Sequence, residues 1–225
     1  MTSRYALYET DKLRDRFALD AGLPRGVKPR YNVSPVREVP VVLLRDGQRV
    51  VERMIWGFVP AGAKDMNSVF RYKTYAVKSE GILDKPTLRT ALRAQRCIVP
   101  VNGFYEWKNL ASGKRPFYIR TDTHELFGLA GLYGEWTDPE GVRRGICTVL
   151  TIDSETDSDM TPRRLPIIVD QADETDWLNP ELGDLSTLFR IMRPYDASKL
   201  SIIPVSDEVN STKLDRPDLI DRRQL

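Results

Sequence analysis

The sequence predicts an α+β fold: a single domain with a mainly antiparallel, barrel-like β core and peripheral helices. Three observations lead there. Strand-like runs outnumber helical stripes, they follow one another in hairpin series, and no repeat, low-complexity tract or linker divides the 225 residues. A chain of this length buries a sizeable core without disulfide or metal staples. The domain is taken as residues 1–225, with a charged tail from about residue 206.

Taken in order, Thr10 to Ala21 place Leu13, Phe17, Ala18 and Ala21 on one stripe, with Thr10 as N-cap and Gly22 and Pro24 as stops, which predicts an amphipathic helix. Two strand-like runs, Val39 to Leu44 and Arg49 to Ile55, flank Asp46-Gly47 and read as a hairpin. Trp56-Gly57-Phe58-Val59-Pro60 then leaves the sheet. Ala61 to Ser79 lacks periodicity and reads as a long loop, the kind of segment that often carries function. Pro86 to Gln95 sets Leu88, Ala91 and Leu92 on one stripe behind an N-terminal proline, a second helix. Strands are expected at Cys97 to Val101, Phe104 to Lys108, Pro116 to Arg120, Glu125 to Leu132 and Ile146 to Ile152, with turns at Gly113 and Asp138 to Gly141. Leu165 to Val169 is a further short strand, Asp173 to Trp177 and Asp184 to Ile191 are helical, and Leu200 to Val205 closes the fold.

Composition narrows the function classes. Hydrophobic residues make up 41% and charged residues 29%, the balance of an ordinary globule. No apolar run approaches the roughly 20 residues of a membrane helix, and Met1 to Asp20 has no apolar core of a signal peptide, so a cytoplasmic location is expected. The net charge of +2 allows nucleic-acid binding without demanding it. Cys97 and Cys147 sit in apolar stretches without zinc or redox spacing and read as buried structural thiols. The single histidine, His124, excludes a multi-histidine metal centre, and a Ser-His-Asp triad would depend on it alone. No metal or organic cofactor is expected.

Gly-rich phosphate loops, metal signatures and nucleophile elbows are absent. Three clusters remain. In Gly103-Phe104-Tyr105-Glu106-Trp107 the strand period puts Phe104 and Glu106 on one face and both other aromatics on the opposite one. A carboxyl group among aromatics loses solvation of its charged form, which fits general acid or base work; a solvent-facing strand glutamate is the alternative. In Thr161-Pro162-Arg163-Arg164-Leu165-Pro166, two guanidinium groups between prolines fit a phosphate clamp or a solvated turn. In Arg30-Tyr31-Asn32-Val33-Ser34-Pro35, Tyr31 and Asn32 are placed to meet a base and Arg30 a phosphate, or Asn32 and Ser34 simply form a turn.

Together with Arg4-Tyr5-Ala6-Leu7, Trp56 to Pro60 and the long string Arg96 to Trp107, these segments resemble the SOS-response-associated peptidase (SRAP) family across most of the chain. The resemblance implies a barrel-like α+β domain. It also implies a chemistry in which an N-terminal cysteine, exposed by removal of the initiator methionine, attacks the ring-opened aldehyde of an abasic site in single-stranded DNA. Thiol and α-amine then close a stable thiazolidine, assisted by an asparagine, a glutamate and a histidine. The implied glutamate is Glu106.

At the other three positions this chain departs from the family. Thr2 stands where the nucleophilic cysteine would be, and a hydroxyl is a far weaker nucleophile than a thiolate near neutral pH. Ala76 replaces the asparagine and Pro162 the histidine. The implied DNA-gripping positions are better kept: Arg4 and Arg164 match, Lys78 keeps the charge without the bidentate fork, Asn32 lies in its motif, and Thr151 falls where members set a threonine against DNA. The expectation is a monomeric single-stranded-DNA-binding protein of the DNA-damage response that recognises abasic or junction sites, with crosslinking impaired or lost. Two alternatives stand beside it: a working crosslinker, lyase or peptidase using Thr2 and Glu106, and a protein-interaction module that no longer binds DNA. If Met1 is removed, the Thr2 amine can still form a hydrolysable Schiff base.

Overall fold

The structure, a computed structural model, describes residues 2–59, 63, 65–111, 113–154 and 162–224. Its strands are β1 (Arg4–Leu7), β2 (Arg30–Val33), β3 (Glu38–Arg45), β4 (Gln48–Trp56), β5 (Ala76–Lys78), β6 (Arg96–Val101), β7 (Gly103–Leu110), β8 (Gly113–Thr121), β9 (Phe127–Thr137), β10 (Arg143–Asp153), β11 (Arg164–Pro166), β12 (Ile168–Val169) and β13 (Leu200–Pro204). The α-helices are short: α1 (Leu13–Arg16), α2 (Asn67–Tyr72), α3 (Pro86–Ala94), α4 (Glu174–Leu178) and α5 (Leu185–Ile191).

Five strands close on themselves in the order β10, β4, β3, β6, β9 and back to β10, with only the β4–β10 step parallel. The expected barrel is therefore present. Closure requires small residues where strands crowd: a Cβ on Gly131 would stand 2.8 Å from the Cys97 Sγ and 2.9 Å from the Thr148 carbonyl oxygen. The expected hairpin of β3 and β4 pairs in continuous register, and its two turn residues, Asp46 and Gly47, take φ of 49° and 78° as a tight I′-like hairpin demands. Cys97 and Cys147 lie buried inside the barrel as free thiols, both pushed up by burial.

A second, antiparallel sheet, ordered β13, β8, β7, β1, β2, packs beside the barrel. Consecutive strands β6 and β7 belong to different sheets, and Asn102 makes the corner: its Oδ1 accepts the Tyr8 and Glu9 N–H groups at 2.8 and 3.2 Å, while its Nδ2 donates to Glu9 and the Glu125 carbonyl. Trp56, the last residue of β4, lies against Tyr5 of β1 with ring centroids 5.0 Å apart and donates to the Tyr75 carbonyl at 2.8 Å, so barrel, second sheet and the segment before β5 meet at one indole.

Several expectations are corrected. The first helix is one turn of 3-10 (Thr10–Lys12) followed by α1; it ends because Ala18 turns left-handed at φ 48°, which lets Phe17 and Leu19 both reach the core. The segment read as a loop contains α2 and β5. α2 buries only Val69 and exposes Phe70 and Tyr72, so it carries no stripe, and β5 is too short for an alternating pattern. α2 fits because a Cβ on Gly57 would meet Val69 Cγ1 at 2.4 Å. Leu165 to Val169 is two strands: β11 pairs with β10 and β12 with β9, and Ile167 crosses between them through bonds to Leu150 and Ala130.

The charged tail is docked. Short 3-10 turns at Asp207–Asn210 and Pro217–Ile220 bury Val209 and Leu219. Asp215 accepts the backbone N–H groups of Tyr31 and Asn32 and pairs with the Arg30 guanidinium. The Asn32 amide donates to the carbonyls of Val209, Ser211 and Leu214 at 3.2, 3.0 and 2.9 Å. Asn32→Ala is therefore expected to lower stability by about 2–3 kcal/mol, read from urea unfolding, because it orphans these acceptors, and to speed proteolysis within residues 206–224.

Candidate active site

Glu106 sits mid-strand in β7, opposite Phe117 of β8, and β1 runs along its other edge. The strand period is observed: Phe104 packs into the main core and Tyr105 into the smaller cluster beyond the sheet. Glu106 is only 3% exposed, so it is no solvent-facing strand residue. Thr2, fully buried, enters from the start of β1 and its hydroxyl donates to Glu106 Oε1 at 2.5 Å. Burial pushes the Glu106 carboxyl above its ordinary value, and the Thr2 hydroxyl, a donor to the charged form, opposes that rise.

A cavity of about 550 Å³ opens beside this pair. Three cations, Arg4, Lys73 and Lys114, line it together with Tyr75, Trp107, Ser3 and Asn210. Arg4 Nη1 donates to the Ser3 carbonyl, while its Nε is buried without a hydrogen-bond partner among the described residues, and burial lowers its pKa. Trp107 is fixed by a 2.9 Å bond from its indole N–H to Asn210 Oδ1, so the docked C-terminal segment forms part of the wall. A second cavity of about 510 Å³ shares Lys73 with the first and is lined by Phe58, Val59, Tyr72, Ala76, Lys78 and Lys85.

The structure thus unites Thr2, Arg4 and Glu106, and sets Ala76 and Lys78 in the adjoining hollow. It separates other residues expected at the site. Asn32 is 2% exposed and spent on the C-terminal segment, so its amide is not offered to a base. Arg164 is no free phosphate clamp: its guanidinium pairs with Glu80 and Asp153 and bonds the Thr151 hydroxyl and carbonyl. Thr151, fully buried, donates to the Val77 carbonyl and so ties β5 to β10 rather than facing solvent. Pro162 is buried, its carbonyl accepting from Ser154, and it is not on the wall of the Glu106 cavity; Thr161 lies outside the described residues. Asp153 is held below the ordinary carboxylate range by Arg164. Lys73, Tyr75 and Lys114 belong to no motif; Lys73 and Tyr75 fall in the aperiodic segment that the sequence marks only as a loop able to carry function.

The model of the SOS response associated peptidase (SRAP) family matches residues 1–212. This chain is an SRAP-family protein. Among curated relatives, the abasic site processing protein YoqW of Bacillus subtilis is 34% identical over 224 residues, covering 98% of this chain and 99% of its own length. The abasic site processing protein HMCES of Gallus gallus is 29% identical and aligns to 86% of this chain and 66% of its own length. A crystal structure of a protein from Bacteroides thetaiotaomicron superposes with a TM-score of 0.82 at 23% identity, covering 100% of this chain and 98% of that one, a likeness of fold. No helix among the described residues of this SRAP protein is long and apolar enough to cross a membrane.

The raised Glu106 carboxyl has a consequence for stability. Folded SRAP protein binds this proton more tightly than the unfolded chain does, so the contribution is fully present below the ordinary value of 4.5 and is lost as pH rises through the raised one. Glu106→Gln is expected to be more stable than the parent at pH 7, with the gap closing toward pH 4, as read by urea midpoints across that range.

Proposed function

We propose that this SRAP protein is a reader of abasic sites in single-stranded DNA, acting as a cytoplasmic monomer in DNA-damage handling, and that it has lost the stable thiol-dependent crosslink. The observation that carries this reading is the Glu106 cavity: a buried carboxyl group under a cationic wall, with a hydroxyl at the nucleophile's position. A thiazolidine needs a thiol beside an amine, and both cysteines of the chain are sealed inside the barrel. Without a sulfur at residue 2, that ring has no way to close.

DNA affinity in this reading comes from lysines and exposed aromatics rather than from Arg164 and Asn32. Arg4, Lys73 and Lys114 surround the first cavity, and Lys78 and Lys85 flank the second. Phe70 and Tyr72 are 52% and 62% exposed on α2, whose C-terminal end borders both hollows, and such rings stack on unpaired bases. The names of the curated relatives support abasic sites as the target. A second reading, in which Thr2 itself reacts, is favoured by its 2.5 Å bond to a buried carboxyl group.

The test is a native gel shift with single-stranded and duplex oligonucleotides bearing one abasic site, run beside a heated denaturing gel. Preference for the single strand, with no heat-stable adduct, is expected; equal affinity for duplex sinks the reading. A heat-stable adduct lost in Thr2→Ala would instead establish the second. Lys78→Glu is expected to weaken single-strand binding about three- to ten-fold and to reduce the salt slope by roughly one.

A further inference from the structure

We propose that Lys73 captures the aldehyde of an abasic site as a reversible imine, with Glu106 relaying the protons, an activity that rests on the reading above that this cavity receives abasic DNA. An inventory of the cavity wall leads there. The Thr2 hydroxyl is bonded to Glu106, both thiols are sealed in the barrel, and guanidinium, indole and amide groups do not condense with aldehydes. Among the described residues that line it, side-chain primary amines are carried only by Lys73 and Lys114, and the N-terminal amine is the competitor that peptide mapping separates from them.

The backbone distinguishes the two lysines. Lys73 ends α2 in the left-handed conformation at φ 52°, which glycine would adopt without strain, and it is held there: its N–H donates to the Phe70 carbonyl, its own carbonyl accepts from Ala76, and Thr74 bonds back to Val69. A strained, pinned backbone under a lysine points to a use for the side chain. The same residue borders both cavities, so it stands where a strand passing from one hollow to the other would bring its deoxyribose. Lys114, by contrast, is the second residue of β8 opposite Asn109, beside the hairpin turn, and borders the first cavity but not the second.

The chemistry balances without an oxidant or a metal. After the Lys73 ammonium gives one proton to solvent, its Nζ adds to the aldehyde carbon; a C–N bond forms, the carbonyl π pair moves to oxygen, and that oxygen takes the Glu106 proton. The Glu106 carboxylate then accepts the proton lost by nitrogen and returns it to the carbinolamine hydroxyl, which leaves as water while C=N forms. Water reverses every step, so the link is transient. Burial holds the Glu106 carboxyl above its ordinary range, the direction that a group both giving and taking a proton near neutrality requires.

The experiment uses the full chain and two single-stranded oligonucleotides, one with an abasic aldehyde and one with the unreactive tetrahydrofuran analogue. The aldehyde sample is reduced with borohydride, resolved on a denaturing gel and mapped by peptide mass. A trapped adduct on Lys73 is expected, falling about ten-fold or more in Lys73→Arg, which keeps the charge but forms no imine, while the tetrahydrofuran shift of the unsubstituted chain reports DNA binding separately. An adduct on Lys114 or on the N-terminal peptide, undiminished trapping in Lys73→Arg, or a tetrahydrofuran shift with no trapped adduct would each overturn the lysine proposal alone. Failure to shift the tetrahydrofuran strand would overturn the DNA-reader reading and the proposal with it.

Discussion

Strand β10 holds the architecture together because it bonds to four neighbours along its eleven residues. Its first half closes the barrel between β4 and β9, and its second half takes β5 on one edge and β11 on the other. The parallel pairing with β5 fixes Ala76 to Lys78, and through them the stretch from Lys73 to Tyr75 that walls the site. The Thr151 hydroxyl reinforces that pairing from inside, and Arg164 of β11 bonds to the same hydroxyl. Residues that face no ligand thereby set where the cavity's own side chains stand.

The site is governed by the desolvation of one carboxyl group. Glu106 is carried by a strand of the second sheet, and the cations facing it come from three separate elements: Arg4 on β1, Lys73 at the end of α2 and Lys114 on β8. Burying a carboxylate is costly, and both the Thr2 hydroxyl and nearby positive charge reduce that cost. The same arrangement suits an anionic backbone threaded past a buried proton donor. Position 2 offers a hydroxyl, position 76 a methyl and position 162 a pyrrolidine ring, while the carboxyl group at 106 is buried beside a cationic wall.

Several cations elsewhere are already committed to internal partners. Arg164 is neutralised by Glu80 and Asp153, Arg30 by Asp215, and Arg16 and Arg49 by the buried Glu174. Arg96 is spent on carbonyls of α3 and of the chain around Trp177, and desolvation lowers it to about 10. A net charge of +2 therefore conceals a cationic track made mostly of lysines around two adjoining hollows.

Much of this was legible in the chain. Asp46-Gly47 between two strand-like runs specifies its hairpin locally, Pro86 and the Leu88-Ala91-Leu92 stripe specify α3, and the Gly103 to Trp107 period sets Glu106 on the same face as Phe104, while its burial is a tertiary outcome. These are short-range properties, set by backbone sterics and a hydrophobic period of two or 3.6. The string Arg96 to Trp107 carried the family resemblance, and Thr2, Ala76 and Pro162 marked the positions where this chain departs from it. Only the tertiary structure decided that Asn32 and Arg164 are consumed internally, that the charged tail is a docked wall, and that Lys73 meets Glu106 across one cavity. Those outcomes depend on contacts between residues far apart in the chain, where burial and pairing select a partner that no local pattern encodes.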